Sequence, residues 1–397
     1  MKFLQLDHDI CEKLLPGLAG RLSDIPFDQL ESRQSPAIAL FKEHGGTNLL
    51  IPRDHGGIGA SALEAVRVIR ALASLAPSLA VATAMHHFSV GMLFSVGPYY
   101  ESGTGPESGT GPESSTGPES GTGIRTSVLD VVAKNRSLIA SGYAEGRSGH
   151  GILTPMVEAR ETAGGYLVSG SKKPCSLSRS MDLLTASVAL RGDDGGAEMG
   201  LLVLPADTPG ISVHDFWSTF PLVGAESHEV CLTDVFAGTE HILRAPANAA
   251  EKLDELNEAG VIWFQMIVAA SYTGVASALV DLVLRNERGS ADERARLCLL
   301  IDSAASLVEG IARRIMDDDL GNDCAAASLF TRFSVQDIIT RAVGQAVEML
   351  GGMAFITSPK IAYLASAAQA VVFHPPSRMS MSGAVVDYFA GKPLFFA

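Results

Sequence analysis

The sequence predicts an α+β fold that is mainly α, with helices at both ends of the chain and a β-rich segment between them. Apolar residues recur at helical spacing before residue 100 and again after residue 246. Between them, short apolar and β-branched runs alternate with Gly, Pro and Asp turns. We therefore expect an N-terminal helical domain (1–136), a middle β-barrel or sandwich domain (137–245) and a C-terminal four-helix bundle (246–397).

Length, composition and charge limit the general class. The chain has 397 residues, 47% of them hydrophobic, so it can bury a core without disulfides or metals. Its five cysteines show no Cys-x-x-Cys or Cys/His spacing, and no metal site is predicted. A net charge of −14 disfavours nucleic acid and anionic membranes as partners. The longest apolar runs are broken by Ser, Gly or Arg and the N-terminus lacks signal-peptide features, so we expect a cytoplasmic protein.

The N-terminal domain contains a helix start, a glycine-rich turn and a repeat. Ser61 precedes Glu64 by three residues, as in a capping box. Glycine is costly inside a helix, so residues 49–60 are predicted to form a turn. Residues 101–123 repeat Glu-Ser-Gly-Thr-Gly-Pro and contain no apolar side chain, which predicts a flexible linker. It is either a tether or lid beside an active site or a loop without a chemical role, and its composition favours the second.

The middle and C-terminal segments differ in periodicity. Six β-rich runs with turn residues between them lie in the middle segment. Helical periodicity returns afterwards, and several helices are apolar on more than one face, which indicates burial in a bundle and against partner subunits. We expect a homodimer or homotetramer rather than a monomer. The periodic stretches are residues 263–284, 297–316 and 324–350.

Three stretches carry a resemblance to a known family. The first is residues 50–60 (LIPRDHGGIGA), and the second is residues 140–146 (ASGYAEG) followed by 165–172 (GYLVSGSK). The third is Leu350-Gly-Gly with Phe355. In this order and spacing they resemble the acyl-CoA dehydrogenase superfamily across essentially the whole chain. The resemblance implies that family's fold, with a helical domain, a β domain and a helical bundle around a flavin.

The resemblance also implies residues that contact the flavin ring. Tyr143 and Glu145 fall in the first β-domain signature, although the family's usual Gly-Ser-Asp has become a segment that includes His150. Ser176 falls where a Thr or Ser reaches the flavin, and Ser178 follows two residues later. A hydroxyl suits this role because it both donates and accepts hydrogen bonds. The alternative is that both serines are ordinary turn hydroxyls.

The resemblance implies FAD, but the dinucleotide contacts are altered. Gly351 and Gly352 would let backbone amides approach a pyrophosphate, although a double glycine also commonly ends a helix. The family's Arg-Phe-Gly, which reaches the flavin of a neighbouring subunit, is missing. Arg288 is the candidate replacement because a guanidinium matches a pyrophosphate. FMN, or a reduced flavin that binds transiently, is therefore an alternative to FAD.

The catalytic residue departs from the family. Dehydrogenation of an acyl thioester needs a carboxylate that removes the α proton. Pro376 stands at the family's usual glutamate position, and Phe264 or Gln265 at its second one. His374 is the nearest titratable group, and flavin monooxygenases of this fold often carry a histidine there. His374-Pro375-Pro376 is equally interpretable as a stiff turn with an exposed histidine. Three more histidines are candidates to join such a site: His86, His87 and His150.

Three functions follow, in decreasing order of preference. The first is a flavin-dependent oxidoreductase of the acyl-CoA dehydrogenase type, acting on an acyl thioester of CoA or a carrier protein. The second is a two-component flavin monooxygenase that acts on a small molecule. The third is a non-catalytic subunit that forms a hetero-oligomer with an active homologue, which would explain every altered motif at once.

Overall fold

The computed structural model describes residues 2–95, 120–146, 153–191, 197–244 and 255–396. Residues 101–119 of the predicted linker and His150 lie outside these ranges. The described N-terminal part is helical. Its helices are α1 (Gln5–Leu14), α2 (Leu18–Ser23), α3 (Phe27–Leu30), α4 (Ala37–Glu43), α5 (Ala62–Leu75), α6 (Pro77–Ser95) and α7 (Ser120–Asn135).

Two local predictions in this domain are confirmed. The Ser61 hydroxyl accepts a hydrogen bond from the Glu64 N–H at 3.2 Å, and the Glu64 carboxylate accepts one from the Ser61 N–H at 3.1 Å. This capping box begins α5. The turn before it needs glycine, because a Cβ at Gly57 would lie 2.0 Å from the carbonyl oxygen of Ile51.

Helix α7 begins at Ser120, so the last residues of the predicted linker are helical. The prediction of a linker up to residue 123 was therefore too long. Val128, Leu129 and Val132 are buried and anchor this helix against the rest of the domain. Once such a helix is nucleated, each further residue adds a hydrogen bond, so the helix extends into a sequence of low propensity.

The middle domain is one mixed sheet of eight strands. Their order is β6-β7-β3-β2-β4-β5-β8, and β1 pairs in parallel with β4. Strand β2 was not predicted, because it reads Glu-Ala-Arg-Glu-Thr and only Ala159 is buried. The strands are β1 (Ile139–Gly142), β2 (Glu158–Thr162), β3 (Gly165–Cys175), β4 (Leu183–Arg191), β5 (Ala197–Pro205), β6 (Ile211–His214), β7 (His228–Gly238) and β8 (Ile242–Arg244).

The C-terminal part is helical again, and α8 lies at its centre. This helix packs against α5 and α6 of the N-terminal domain and against α9, α10 and α12. Residues 256–285 are long and apolar enough to span a membrane, but 83% of their most apolar window is buried inside the protein. The helices are α8 (Glu255–Arg285), α9 (Ala291–Met316), α10 (Asn322–Leu350), α11 (Gly352–Thr357), α12 (Pro359–Gln369) and α13 (Arg378–Phe389). The predicted fold class, α+β and mainly α, is confirmed.

Candidate active site

A cavity of about 400 Å³ lies where α6, the middle sheet and α8 meet. Residues 370–375, between α12 and α13, close one end, which we call the floor. Most of the walls are apolar or aromatic, as in typical sites for small molecules. The main apolar contributors are Met85, Phe88, Met92, Trp217, Val261 and Phe264.

Hydroxyl groups lie on the wall formed by the sheet. Ser141 and Tyr143 come from the end of β1, and Ser176 follows β3. The Ser176 hydroxyl is hydrogen-bonded to that of Ser227 at 2.9 Å. The rings of Tyr143 and Phe88 meet edge to face, with their centroids 5.5 Å apart. This wall therefore combines flat apolar surface with groups that both donate and accept hydrogen bonds.

Glu145 lines the same wall, but its carboxylate is fully engaged. Lys172 is completely buried and donates to Glu145 Oε1 at 2.7 Å. The backbone N–H groups of Met156 and Val157 donate to the same oxygen at 2.9 and 3.1 Å. Burial alone would raise the pKa of Glu145, but Lys172 and these N–H groups bring it below its usual value. Glu145 is thus a fixed, ionised structural group rather than an available base.

A neutral pair lies at the floor. It consists of His374, which belongs to the floor, and Tyr272 of α8, which contacts it. His374 Nε2 lies 2.8 Å from the Tyr272 hydroxyl oxygen. Burial, assisted by the nearby Arg332 charge, lowers the pKa of His374 to about 3. Burial also raises the pKa of Tyr272. Both groups are therefore uncharged at neutral pH. His374 is half-buried and lines the cavity. It is therefore not the exposed histidine of the alternative interpretation.

Arg332 of α10 lies behind the floor and is completely buried. Its Nε donates to the side-chain oxygen of Gln265, and its Nη2 donates to the carbonyl oxygen of Pro376. Its Nη1 has no acceptor among the described residues, and none of their carboxylates forms an ion pair with it. Burial lowers the pKa of Arg332 to about 10, so it remains a cation at neutral pH. The carbonyl oxygen of Pro376 thus accepts a hydrogen bond from a cation, and the predicted match of Pro376 to the family's catalytic carboxylate stays a prediction.

Four residues predicted to bind the cofactor lie outside the cavity. Ser178 is buried, and its hydroxyl donates to the carbonyl oxygen of Glu226 at 2.6 Å. Arg288 is exposed in the turn between α8 and α9. Gly351 ends α10 with φ of +86°, and Gly352 begins α11. That these residues bind the cofactor stays a prediction. They would contact either a part of the flavin that extends beyond this cavity or the flavin of a neighbouring subunit.

The other described candidate histidines also lie away from the cavity. His86 Nε2 donates to the Thr47 carbonyl at 2.8 Å, and its Nδ1 accepts from the Ile139 N–H at 3.2 Å. Burial lowers the pKa of His86 to about 4. His87 is buried next to it and has no hydrogen-bond partner among the described residues. Both are neutral interior residues that do not join His374.

Tyr272 and Arg332 are site residues that were not predicted from the sequence. Nothing in the sequence pairs Tyr272 with His374, because 102 residues separate them. Arg332 did carry a signal. It follows Leu329 by three residues and precedes Val335 by three, and both of these are buried on α10. A charged residue in an apolar stripe at helical spacing is unusual enough to mark a candidate functional site.

A cavity between a β domain and a helical bundle, lined by aromatic rings and hydroxyl groups, can hold a flat cofactor ring. The chain belongs to the acyl-CoA dehydrogenase superfamily of flavin-dependent oxidoreductases, as its sequence relatives show. It is 43% identical over 394 residues to isobutylamine N-hydroxylase of Streptomyces viridifaciens, covering 99% of this chain and 100% of that protein. No family model matches the chain.

Solved structures show the same fold at low sequence identity. TdsC of Paenibacillus sp. A11-2, in complex with FMN and indole, has a TM-score of 0.79 and 15% identity, covering 98% of both chains. Butyryl-CoA dehydrogenase of Megasphaera elsdenii has a TM-score of 0.76 and 16% identity, covering 98% of this chain and 97% of the other. One fold therefore serves proteins with different substrates, and the side chains of the floor must decide the reaction.

The residues of the cavity fit a flavin ring. Phe88, Trp217 and Phe264 offer aromatic surface, and Tyr143 and Ser176 offer hydroxyls at the cavity edge. A tricyclic ring system with nitrogen and oxygen atoms along its edges needs this combination. The hydroxyls of Tyr143 and Ser176 can each donate or accept a hydrogen bond, so they suit either redox state of the ring.

Proposed function

We propose that the protein is a flavin-dependent monooxygenase that hydroxylates the nitrogen of a small primary alkyl amine. One observation carries the proposal. The floor holds the neutral His374–Tyr272 pair backed by the buried Arg332 cation, and no carboxylate among the described residues lies beside them. The 43% identity to isobutylamine N-hydroxylase over the whole chain supports the substrate class.

Dehydrogenation of an acyl thioester is the second candidate, and the floor argues against it. That reaction needs a carboxylate within reach of the substrate's α carbon. Glu145 is the one carboxylate among the described residues that line the cavity. Its oxygen already accepts from Lys172 at 2.7 Å and from two backbone N–H groups. Moving it towards a substrate would leave a buried lysine without its counter-ion.

A bound reduced flavin would supply the two electrons that activate dioxygen. The reaction then balances as amine, dioxygen and reduced flavin giving hydroxylamine, water and oxidised flavin. The apolar walls exclude water from the reacting atoms. At the floor, His374 and Tyr272 form a neutral hydrogen-bonded pair that can orient the amine without taking its proton. We propose Tyr143 and Ser176 as the groups that orient the flavin ring.

We infer that the flavin arrives reduced from a separate reductase, as either FMN or FAD. The cavity residues fit the ring, while Arg288, Gly351 and Gly352 lie outside it, and this favours a cofactor held mainly by its ring. The hydroxyl groups and the His374–Tyr272 pair that line the cavity also favour a catalytic chain over a non-catalytic subunit.

We also propose that the chain forms a homodimer or homotetramer in the cytoplasm. Large apolar side chains are exposed on the C-terminal helices and beside them, and such a surface usually marks an interface. Sedimentation velocity at micromolar concentration measures the assembly, and a monomer would contradict it. The side chains, with their exposed fractions, are Met353 (73%), Ile356 (76%), Phe373 (78%), Met379 (85%) and Phe389 (75%).

Product analysis tests the proposed reaction. The purified chain is mixed with a flavin reductase, NADH, FMN or FAD, and isobutylamine under isotopically labelled dioxygen. We expect a hydroxylamine that carries one labelled oxygen atom, and none when the chain is omitted. Conversion of a saturated acyl-CoA to its enoyl product, without hydroxylamine, would replace the proposal with the dehydrogenase reaction.

A further inference from the structure

The charges next to the cavity do not balance. Glu145 is paired with Lys172 at 2.7 Å, and Lys173, which also lines the cavity, is paired with Glu229 at 2.8 Å. These two pairs cancel locally. Arg332 contributes a further positive charge that no carboxylate of the described residues balances within ion-pair distance. Behind the floor, Arg332 is therefore a buried positive charge without a counter-ion among the described residues.

Two cavity-lining groups connect this charge to the cavity. Gln265 accepts the Arg332 Nε hydrogen bond through its oxygen, and its amide nitrogen donates to the Pro375 carbonyl at 3.4 Å. The Gln265 amide dipole is therefore held with its negative end towards the guanidinium. Pro376, which follows Pro375, accepts from Arg332 Nη2. Arg332 lies one hydrogen bond behind the cavity surface and acts on it as a fixed charge, without direct contact.

We propose that Arg332 is a specificity-determining residue that makes the cavity accept its amine as the uncharged free base and reject the alkylammonium ion. This inference rests on the proposed amine substrate and adds the protonation state that the cavity recognises. A free base has the unshared electron pair that nitrogen oxygenation requires, whereas an ammonium ion has none. Recognition and reactivity would then select the same form.

The other groups that face the floor do not oppose this charge. Tyr272 on α8 and His374 are neutral at pH 7, and Arg332 itself lowers the pKa of His374. Arg378 on α13 is exposed and paired with Asp337 of α10 at 2.9 Å. Opposite the floor, the sheet contributes the ion-paired Glu145 and Lys173. Between pH 7 and 9 the free-base fraction of an alkyl amine rises steeply, while Tyr272 and His374 stay neutral.

Calorimetric binding to the full-length protein, with oxidised FMN present and no reductant, tests the inference without turnover. The probes are isobutylamine, isobutanol as a neutral analogue, and isobutyltrimethylammonium as a permanent cation. An alkyl amine with a pKa near that of lysine has about 100-fold more free base at pH 9 than at pH 7. We expect its apparent affinity to rise about 100-fold over that range. Isobutanol should bind equally at both pH values, and the permanent cation should not bind.

Substitutions assign the effect to one residue. Arg332→Gln removes the charge, so ammonium should bind and the rise from pH 7 to 9 should fall below about 10-fold. Arg332→Lys keeps the charge and should keep the full pH effect. Arg378→Gln is the matched control, since it removes an exposed arginine near the same Phe333 ring and should leave the pH effect unchanged.

The outcomes separate this inference from the proposed function. Affinity for isobutylamine that does not change between pH 7 and 9, or binding of the permanent cation, overturns the role of Arg332 even if hydroxylamine forms. A pH effect that persists in Arg332→Gln, or the absence of any binding, also overturns it. Free-base binding without hydroxylamine formation would instead contradict the proposed reaction and leave the inference standing. If Arg332→Gln does not fold, the wild-type titration and Arg332→Lys still decide.

Discussion

Lys172 and Arg332 are both completely buried next to the cavity, yet their surroundings differ. Lys172, on the sheet wall, donates to a carboxylate at 2.7 Å and to the Ser187 hydroxyl at 3.1 Å. Arg332, behind the floor, meets only neutral acceptors, and its Nη1 has no acceptor among the described residues. A buried charge with a counter-ion belongs to the framework. A buried charge without one costs stability, and such costs concentrate at functional sites.

The largest expected effect comes from removing the paired cation. Lys172→Met leaves the half-buried Glu145 carboxylate without its counter-ion, which should lower the free energy of unfolding by about 3 kcal/mol. Urea denaturation followed by circular dichroism measures this. The double variant Lys172→Met/Glu145→Gln removes both charges and should recover most of the loss. Equal losses in the single and double variants would show that the pair is not coupled.

The next effect concerns the reaction rather than the stability. His374→Ala removes one member of the neutral pair at the floor, and we expect kcat for hydroxylamine formation to fall about 100-fold or more. Tyr272→Phe keeps the ring and should reduce kcat less, because His374 remains. Product quantification under excess reduced flavin measures both variants. If kcat is unchanged in His374→Ala, this histidine has no chemical role and the floor only shapes the cavity.

Acid should weaken the paired site through Glu145. The folded-state pKa of Glu145 lies below its ordinary value of 4.5, so the pair stabilises the fold above that pH. This contribution is lost as the pH falls through the folded-state pKa. The double variant Lys172→Met/Glu145→Gln should therefore show a shallower loss of unfolding free energy below pH 4.5 than the wild type. Equal slopes of unfolding free energy against pH in the wild type and the double variant would show that Glu145 does not contribute to acid denaturation.

The smallest expected change in stability is at the unpaired cation. Arg332→Met relieves the cost of a buried charge but leaves the Gln265 oxygen and the Pro376 carbonyl without a donor. These terms oppose each other, and we expect a net change of about 1 kcal/mol or less. Urea denaturation beside Lys172→Met tests the contrast. A loss as large as that of Lys172→Met would make Arg332 a framework residue too.

The sequence predicted the fold class because periodicity and capping are local. The Ser61–Glu64 capping box and the helices around 263–284 and 324–350 depend on neighbours three or four residues apart. Strand β2 escaped prediction because it pairs at the sheet through its backbone and has one buried side chain. Its partners are β3, which follows it directly along the chain, and the more distant β4, and the polar side chains of β2 signal neither pairing.

The site was predictable where the family resemblance supplied positions. His374, Tyr143 and Ser176 come together in the cavity, as the resemblance implied. Their roles remain predictions. The partners that define the chemistry of the floor are long-range contacts, such as Tyr272 with His374 and Arg332 with Gln265. Sequence separation hides such pairs, although the apolar stripe around Arg332 gave a usable signal.

Helix α8 also runs along the cavity, so its side chains bear on how long a substrate can fit. Its cavity-lining residues extend from Asn257 to Tyr272, and at 1.5 Å per residue they cover about 22 Å. Gly260 lies along this path, and a Cβ there would approach Met92 Sδ to 3.0 Å. A side chain at position 260 would therefore shorten the groove without touching the floor. For the proposed amine substrate, the length that fits would change with the side chain at this position, independently of the Arg332 charge.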